Sequence, residues 1–544
     1  MAPYISFLFL LSLLISAFQL AHAVDPLVDL GYAKYQGKEG KEGVQRWLGM
    51  RYAEAPIKGL RFAAPKDPKK EKKVQHAYDF GKSCLSTGVE PKKHTSEDCL
   101  FVNVWAPAKA KKDAKLPVYF YVQGGGFNTN SAPRLDGTGL VKASDEKIVV
   151  VTINYRVGLY GFLASKEIRD KASLNNGLKD QIKALEWVKK HIKEFGGDPD
   201  HVTIGGSSAG AASVYYLLSA YGGKGLDTFH AAAAGSPSFG TQLNVKESQY
   251  MYDTLVKNAK CKGKDSLKCL RKIDAKKLQK IDKKLPLPGA KGKPAFMYSP
   301  TIDGDLITDY TYRLFGGGKF KKVPTIFGAD TNDGTAFVPK NTNTQKDSDN
   351  YLKRQWPALE QKHFDRIHNL YPKTNDKFPK AGKYGAYWRQ GSNAYGQMRY
   401  MCPAITISTA AALHGKMNEA WNFHYDVEDP VAMDKGIGVG HCADVPAIWG
   451  PTYAGGPKSY KDKGVNAPIV PVMQGYWTSF IRSFNPNKHR AKGSPEWKPL
   501  KEKKDDRELS RLHIKTGETG MKPIDRRQNE ACSYFVKVGV ELKM

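Results

Sequence analysis

Short apolar runs alternate with stretches of helical spacing along most of this chain. Val118-Tyr119-Phe120-Tyr121-Val122 and Ile148-Val149-Val150-Val151-Thr152-Ile153 are near-continuous aromatic or β-branched runs, the pattern of strands covered on both faces. Between Asn176 and Phe195 the spacing changes. Leu178, Ile182, Leu185, Val188 and Ile192 fall three or four apart, which is one face of a helix. Gly196-Gly197-Asp198-Pro199 stops it. A strand at His201-Val202-Thr203-Ile204 follows, then a small-residue stretch, Ala211-Ala212-Ser213-Val214, that continues as a helix. Further strands are predicted at Val323–Gly328 and Trp421–Tyr425. Strand, helix, strand, helix implies right-handed crossovers, and so an α/β fold with a large, mostly parallel central sheet and helices on both faces. No Gly/Ser-rich or Pro-rich tract and no repeat of fixed period divides the chain. Residues 24–544 are therefore expected to form a single catalytic domain.

The junction after His201–Ile204 carries the first candidate chemistry. Gly206-Ser207-Ser208-Ala209-Gly210 is G-x-S-x-G between a strand and a helix, the setting in which this motif is a nucleophile elbow. The turn is so tight that a side chain at either glycine is expected to clash, and it lifts Ser208 above the sheet edge. The second feature is Gln123-Gly124-Gly125-Gly126-Phe127, directly after the strand ending at Val122. A glycine loop there lets backbone N–H groups approach a substrate oxygen and stabilise an oxyanion. Two late strands supply the rest. One runs into Ala329-Asp330-Thr331-Asn332-Asp333-Gly334, and the next is followed by a loop containing Gly440-His441. Serine, acid, histidine is the α/β-hydrolase order, unlike that of chymotrypsin-type or subtilisin-type enzymes. His414 and His424 are the rival bases, expected on a helix surface and in a strand.

Composition adds the setting. Ile5 to Leu20 is an uncharged apolar run followed by Ala21-His22-Ala23, so residues 1–23 read as a secretory signal peptide. No Lys or Arg precedes the run, and a membrane anchor is the alternative. No other segment is long and apolar enough to span a bilayer. Seven cysteines fit an oxidising compartment, although sequence alone leaves their pairing open. No N-x-S/T sequon occurs, and N-glycosylation is not expected. The formal charge of +30 is spread in small lysine runs. It implies a solvated surface with some attraction to anionic surfaces; without a nucleic-acid motif, no nucleic-acid partner is implied. No His/Cys/Asp spacing suggests a metal, and no G-x-G-x-x-G loop suggests a nucleotide cofactor, so neither is expected.

Together these motifs make the chain resemble the type-B carboxylesterase/lipase family, which includes cholinesterases. The resemblance begins at Leu48-Gly49-Met50-Arg51-Tyr52-Ala53-Glu54-Ala55-Pro56 and runs through Ser96-Glu97-Asp98-Cys99-Leu100, Asn154-Tyr155-Arg156, Asn176-Gly177-Leu178 and Phe195–Pro199 to the elbow. Secreted fungal carboxylesterases are the members it looks most like. The resemblance implies the α/β-hydrolase fold and a secreted (extracellular) ester hydrolase acting on a small-molecule or lipid ester. It implies Ser208 as nucleophile, Asp333 as acid in preference to Asp330, and His441 as base. It implies an oxyanion hole from the N–H groups of Gly125, Gly126 and Ala209. It implies the disulfides Cys84–Cys99, Cys261–Cys269 and Cys402–Cys532, a free Cys442, and an Arg61–Glu97 salt bridge. A triacylglycerol lipase, an acyltransferase, or a catalytically silent adhesion protein of the same fold are the alternatives.

Three departures from the family pattern bear on substrate. Ser207 precedes the nucleophile where Glu is usual, Asp333 stands where Glu is frequent, and Ala234 replaces a serine before Gly235-Ser236-Pro237. Less negative potential is expected around the serine, and a cationic choline ester is expected to be a poor substrate. The segment between Cys84 and Cys99 is mostly polar, unlike the amphipathic lid of lipase members, which implies an open-mouthed esterase.

Overall fold

The computed structural model describes residues 24–263, 265–373, 384–415, 418–500 and 509–544; the expected signal peptide, residues 1–23, lies outside them. One sheet of eleven strands organises the chain. In chain order these are β1 (Lys38–Glu39), β2 (Val44–Arg51), β3 (Phe101–Pro107), β4 (Leu116–Val122), β5 (Val149–Ile153), β6 (Gly197–Ser207), β7 (Ala231–Gly235), β8 (Thr325–Asp330), β9 (Ala420–Tyr425), β10 (Ser510–Ile514) and β11 (Gly520–Pro523). Their order across the sheet is β11-β10-β9-β8-β7-β6-β4-β5-β3-β2-β1. Every neighbouring pair from β5 to β10 is parallel. The flanks, β3-β2-β1 on one side and β11 on the other, pair antiparallel.

Alternation along the central strands splits the core in two. Val118, Phe120 and Val122 of β4 face one layer, and Tyr119 and Tyr121 face the other. The first layer contains α1 (Asn176–His191), α2 (Ala209–Leu218), α3 (Trp388–Gly396), α4 (Cys402–His414) and α6 (Arg526–Val538). The second contains α5 (Ile469–Ser483), which buries Met473, Tyr476, Trp477 and Phe480 against the sheet. Helix α2 packs on β6, β7 and β4 and is buried along its whole length. Its first turn, Ala209-Gly210-Ala211-Ala212, and the alanines of β7 leave little side-chain volume between backbone and backbone.

Register places the functional loops together. Val122 pairs with Gly206, Ser207 with Gly235, and Gly235 with Gly328. The carboxyl ends of β4, β6, β7 and β8 thus lie side by side, where ligands bind in open α/β sheets. Among the described residues, no helix is long and apolar enough to cross a membrane.

Boundaries differ from the sequence reading where polar residues interrupt the pattern. Strand β6 begins at Gly197, well before His201, through a register irregularity between Gly197 and Val202; Asp198, Asp200 and His201 at least partly face solvent there and read as loop. The helix expected to reach Phe195 is α-helical only to His191, then tightens to a 3-10 turn capped by Gly196 at φ 78°. Cys84–Cys99, Cys261–Cys269 and Cys402–Cys532 are bonded. The last spans 130 residues of sequence and ties α4 to α6, worth about 5 kcal/mol in the chain-entropy view. Arg61 forms a two-pronged pair with Glu97 at 2.6 and 2.7 Å. Buried Arg156 and Asp180 do the same at 2.8 and 2.7 Å.

Candidate active site

Ser208 is the only residue between β6 and α2. Its backbone sits at φ 58°, ψ −124°, a strained conformation for a residue with a side chain, costing about 1–3 kcal/mol. Both flanking glycines are required. A Cβ on Gly206 would lie 2.4 Å from the Gly210 carbonyl carbon, and one on Gly210 would lie 2.0 Å from the Val122 oxygen. The Ser208 N–H donates to Gly235 O at 3.2 Å, anchoring the elbow to β7.

The glycine loop lies against this elbow. A Cβ on Gly124 would sit 2.7 Å from Ser207 O and 3.0 Å from Ser208 Cβ. Gly125 and Gly126 have φ of 117° and 60°. Gln123 fixes the loop: its amide donates to Ile153 O (3.1 Å) and Asn154 Oδ1 (2.8 Å), and its oxygen accepts from Ala132 N (3.0 Å). Among the described residues, the N–H groups of Gly125 and Gly126 donate to no protein acceptor. Ala209 opens α2, so its N–H has no partner within the helix.

Asp333 follows β8 and accepts three hydrogen bonds. His441 Nδ1 lies 2.5 Å from its Oδ1, while Ser236 Oγ (3.0 Å) and Asp330 N (3.1 Å) donate to its Oδ2. A carboxylate only accepts, so the Nδ1 facing it carries the proton and Nε2 presents a lone pair. That Nε2 is buried without a hydrogen-bond partner. The ring is held by Tyr400, at 4.4 Å between centroids, and by Phe337 at 5.1 Å. The structure thus joins His441 to Asp333, and the glycine loop to the elbow. It forms no hydrogen bond between Ser208 Oγ and His441 Nε2, a contact that commonly tightens only with substrate bound. Among the described residues, the carboxylate hydrogen-bonded to His441 is that of Asp333, not Asp330. His414 ends α4 near Gly316 O, and His424 of β9 bonds Thr331 Oγ1 at 2.8 Å; neither reaches Asp333.

Three buried aspartates crowd behind this histidine. Burial, then the neighbouring Asp444 and Asp333, hold the Asp330 carboxyl well above its usual range. Asp444, packed over Gly235, is pushed up to about 7 by burial and then by Asp333, with only the nearby backbone amides of Asp444 and Val445 favouring its charge. The same acids, after burial itself, raise the half-buried Cys442 thiol well above its ordinary value, so it is not activated. Asp444 has a testable consequence. Its folded value lies above the unfolded one, so folding takes up a proton. The stability it supports is complete below the unfolded carboxylate range, about pH 4, and is lost as pH rises through about 7. Asp444→Asn is expected to raise Tm by a few degrees at pH 8 and to leave it nearly unchanged at pH 4. An equal change at both pH values would refute this.

Sequence reasoning missed Ser236, although it stands in a motif it quoted, and Asp444, three residues after His441. Ser236 supplies the acid with a hydroxyl that the Ala234 departure had implied was lost. It also missed Tyr400 and Arg399, from a π-helical turn, Gln397–Met401, between α3 and α4. Arg399 is buried beside Phe296 and donates to Ser238 Oγ at 2.9 Å. One further cluster is spatial. Glu360, His363 and Glu541 come within metal-binding reach, yet His363 Nδ1 accepts Glu360 N–H (2.9 Å) and Lys362 pairs with Glu541 at 2.6 Å. Those contacts leave the imidazole proton on Nε2, facing Glu541 at 3.3 Å, which accounts for the group as an ion-pair cluster.

A mostly parallel sheet, a strand–serine–helix elbow and a late acid–histidine pair define an α/β-hydrolase. The chain belongs to the carboxylesterase family, whose sequence profile matches residues 25–534. It is 38% identical to Aspergillus niger EstA, whose crystal structure superposes with a TM-score of 0.90 over 96% of this chain and 99% of that one. It is 31% identical to secreted lipase 4 of Gibberella zeae, covering 90% of this chain and 88% of the relative. It is 28% identical to mouse carboxylesterase 1F, over 94% of each. The protein is accordingly a carboxylic ester hydrolase.

Proposed function

We propose that this chain is a secreted serine esterase that works through an acyl-enzyme, with Ser208 as nucleophile, His441 as base and Asp333 as its orienting acid. The observation that carries the reading is the 2.5 Å Asp333–His441 contact, which leaves an unpartnered Nε2 in the loop cluster that holds the strained serine. His441 Nε2 takes the Ser208 proton as Oγ attacks the ester carbonyl. Asp333 keeps the imidazole in the required tautomer and stabilises its cationic form. The N–H groups of Gly125, Gly126 and Ala209 receive the developing oxyanion. His441 returns the proton to the departing alcohol, and water then attacks the acyl-enzyme by the same route. Secretion is supported by the apolar N-terminal run, the disulfides and the similarity to proteins named as secreted lipases.

Two observations support soluble, uncharged esters. Ser207, in the position where cholinesterases carry a carboxylate, is a neutral hydroxyl that accepts a hydrogen bond from Tyr121 OH at 3.3 Å, so little there attracts a quaternary ammonium. The segment after Cys84 is also pinned. Ser86 Oγ donates to Thr129 Oγ1 (2.8 Å), Thr87 N donates to Asn128 O (2.8 Å) and Gln279 Nε2 donates to Ser86 O (3.0 Å), which argues against a lid that swings. The test is a substrate panel on purified protein: p-nitrophenyl butyrate, acetylthiocholine, and a long-chain triglyceride across its solubility limit. Rapid hydrolysis of the first is expected, with at least tenfold lower kcat/KM on the second and no jump in rate on the third. No hydrolysis of any ester would defeat the enzyme reading; a jump with triglyceride would make it a lipase.

A further inference from the structure

Away from the serine, a cavity of about 400 Å³ opens between β9, β10, β11 and the start of α6. At its base is the guanidinium of Arg511, only 5% exposed. Its hydrogen-bond partners among the described residues are neutral. Nη2 donates to Gln528 Oε1 and, at 3.2 Å, to His424 Nδ1, while Nη1 lies 3.1 Å from Met401 Sδ. His424 is uncharged, because burial and then Arg511 hold its imidazole well below the ordinary value. Lys522 and Arg527 add two cations to the cavity wall. The acids nearby are engaged elsewhere. Asp525 caps α6 by accepting Gln528 N–H at 3.2 Å. Asp426 accepts from Thr331 Oγ1 (2.6 Å) and faces His513 Nε2 (3.1 Å).

A buried cation without an ionic partner is expensive, and proteins pair such groups or supply them with a ligand. The guanidinium has more N–H donors than these neighbours use. Burial alone drives Arg511 down to about 9 despite Asp426 and Asp525, the direction expected when a counter-charge is missing. A planar fork of donors matches carboxylate or phosphate oxygens, which it binds with two parallel hydrogen bonds.

We propose that this cavity is a binding site for a small polyanion bearing carboxylate or phosphate groups, clamped by Arg511 and closed over by Lys522 and Arg527. The site is distinct from the ester-hydrolysing centre and does not depend on it. Isothermal titration of the full chain at fixed ionic strength tests it, with inorganic phosphate and citrate as separate probes. Saturable one-site binding of at least one probe is expected, weakened tenfold or more in the surface double variant Lys522→Ser/Arg527→Ser and in Arg511→Met. The surface variant keeps wild-type ester hydrolysis, so it remains decisive if Arg511→Met does not fold. Binding of phosphate alone or citrate alone identifies the head group. Unsaturable binding, or equal affinity in the surface variant, would reduce the effect to general attraction by a +30 protein and overturn the site.

Discussion

Ser208→Ala is expected to lower kcat for p-nitrophenyl butyrate by about 10⁴-fold or more, the scale seen when a serine hydrolase loses its nucleophile. KM should change little, because the glycine loop and pocket walls are untouched. Alanine fits the site without new contacts. Among the described residues, Ser208 Oγ makes no hydrogen bond that holds the fold, and the elbow's anchor is the backbone bond from Ser208 N to Gly235 O. Folding should therefore survive, and removing a hydroxyl from a strained position has no packing cost to set against the loss of chemistry. Circular dichroism and Tm on the same preparation separate chemistry from folding. A variant that folds and retains a tenth of the wild-type rate would exclude Ser208 as nucleophile, and with it the acyl-enzyme.

What the chain reveals by pattern alone depends on distance along it. The elbow was legible because its constraint is local. Gly206 and Gly210 are excluded from carrying side chains by atoms of the elbow itself and of the adjacent strand end at Val122, and strand, serine and helix follow in order. The parallel strands were legible because burial on both faces makes them unbroken apolar runs. Strands β1 and β2 were not, since Lys38, Glu39, Gln45 and Arg46 give no apolar alternation, and the pairing of β1 with β2 and of β2 with β3 is set by tertiary contacts. The same limit hid Ser236, Asp444 and Tyr400. Ser236 and Asp444 meet Asp333, and Tyr400 meets His441, only after crossovers of tens of residues or more bring β7, β8, the His441 loop and the π-helical turn together. A serine in a Gly-Ser-Pro turn and an acid three residues after a histidine carry no local mark of that meeting.

Asp333→Asn should lower kcat by about 10³- to 10⁴-fold, while Asp330→Asn should cost far less, within about tenfold. The two residues are three apart at the carboxyl end of β8 and both are buried, so the contrast rests on what each carboxyl touches. Asp333 alone reaches His441. An amide there can turn its NH₂ toward Nδ1 and hold the wrong tautomer, with the proton on Nε2 where the serine proton must go; that inversion accounts for losses of about 10⁴ in other serine hydrolases. Burial and its acidic neighbours push Asp330 toward the protonated form, which an amide resembles. Replacing it also leaves the backbone N–H that supports Asp333 in place. On the proposed mechanism the cluster divides its work: Asp333 orients the base, while burial disfavours charge on Asp330 and Asp444. Measuring kcat and KM for both variants on one neutral ester decides the matter, with Tm as the control for folding. Equal losses would mean that the aspartates act as a unit, and a larger loss at Asp330 would transfer the acid's role to it.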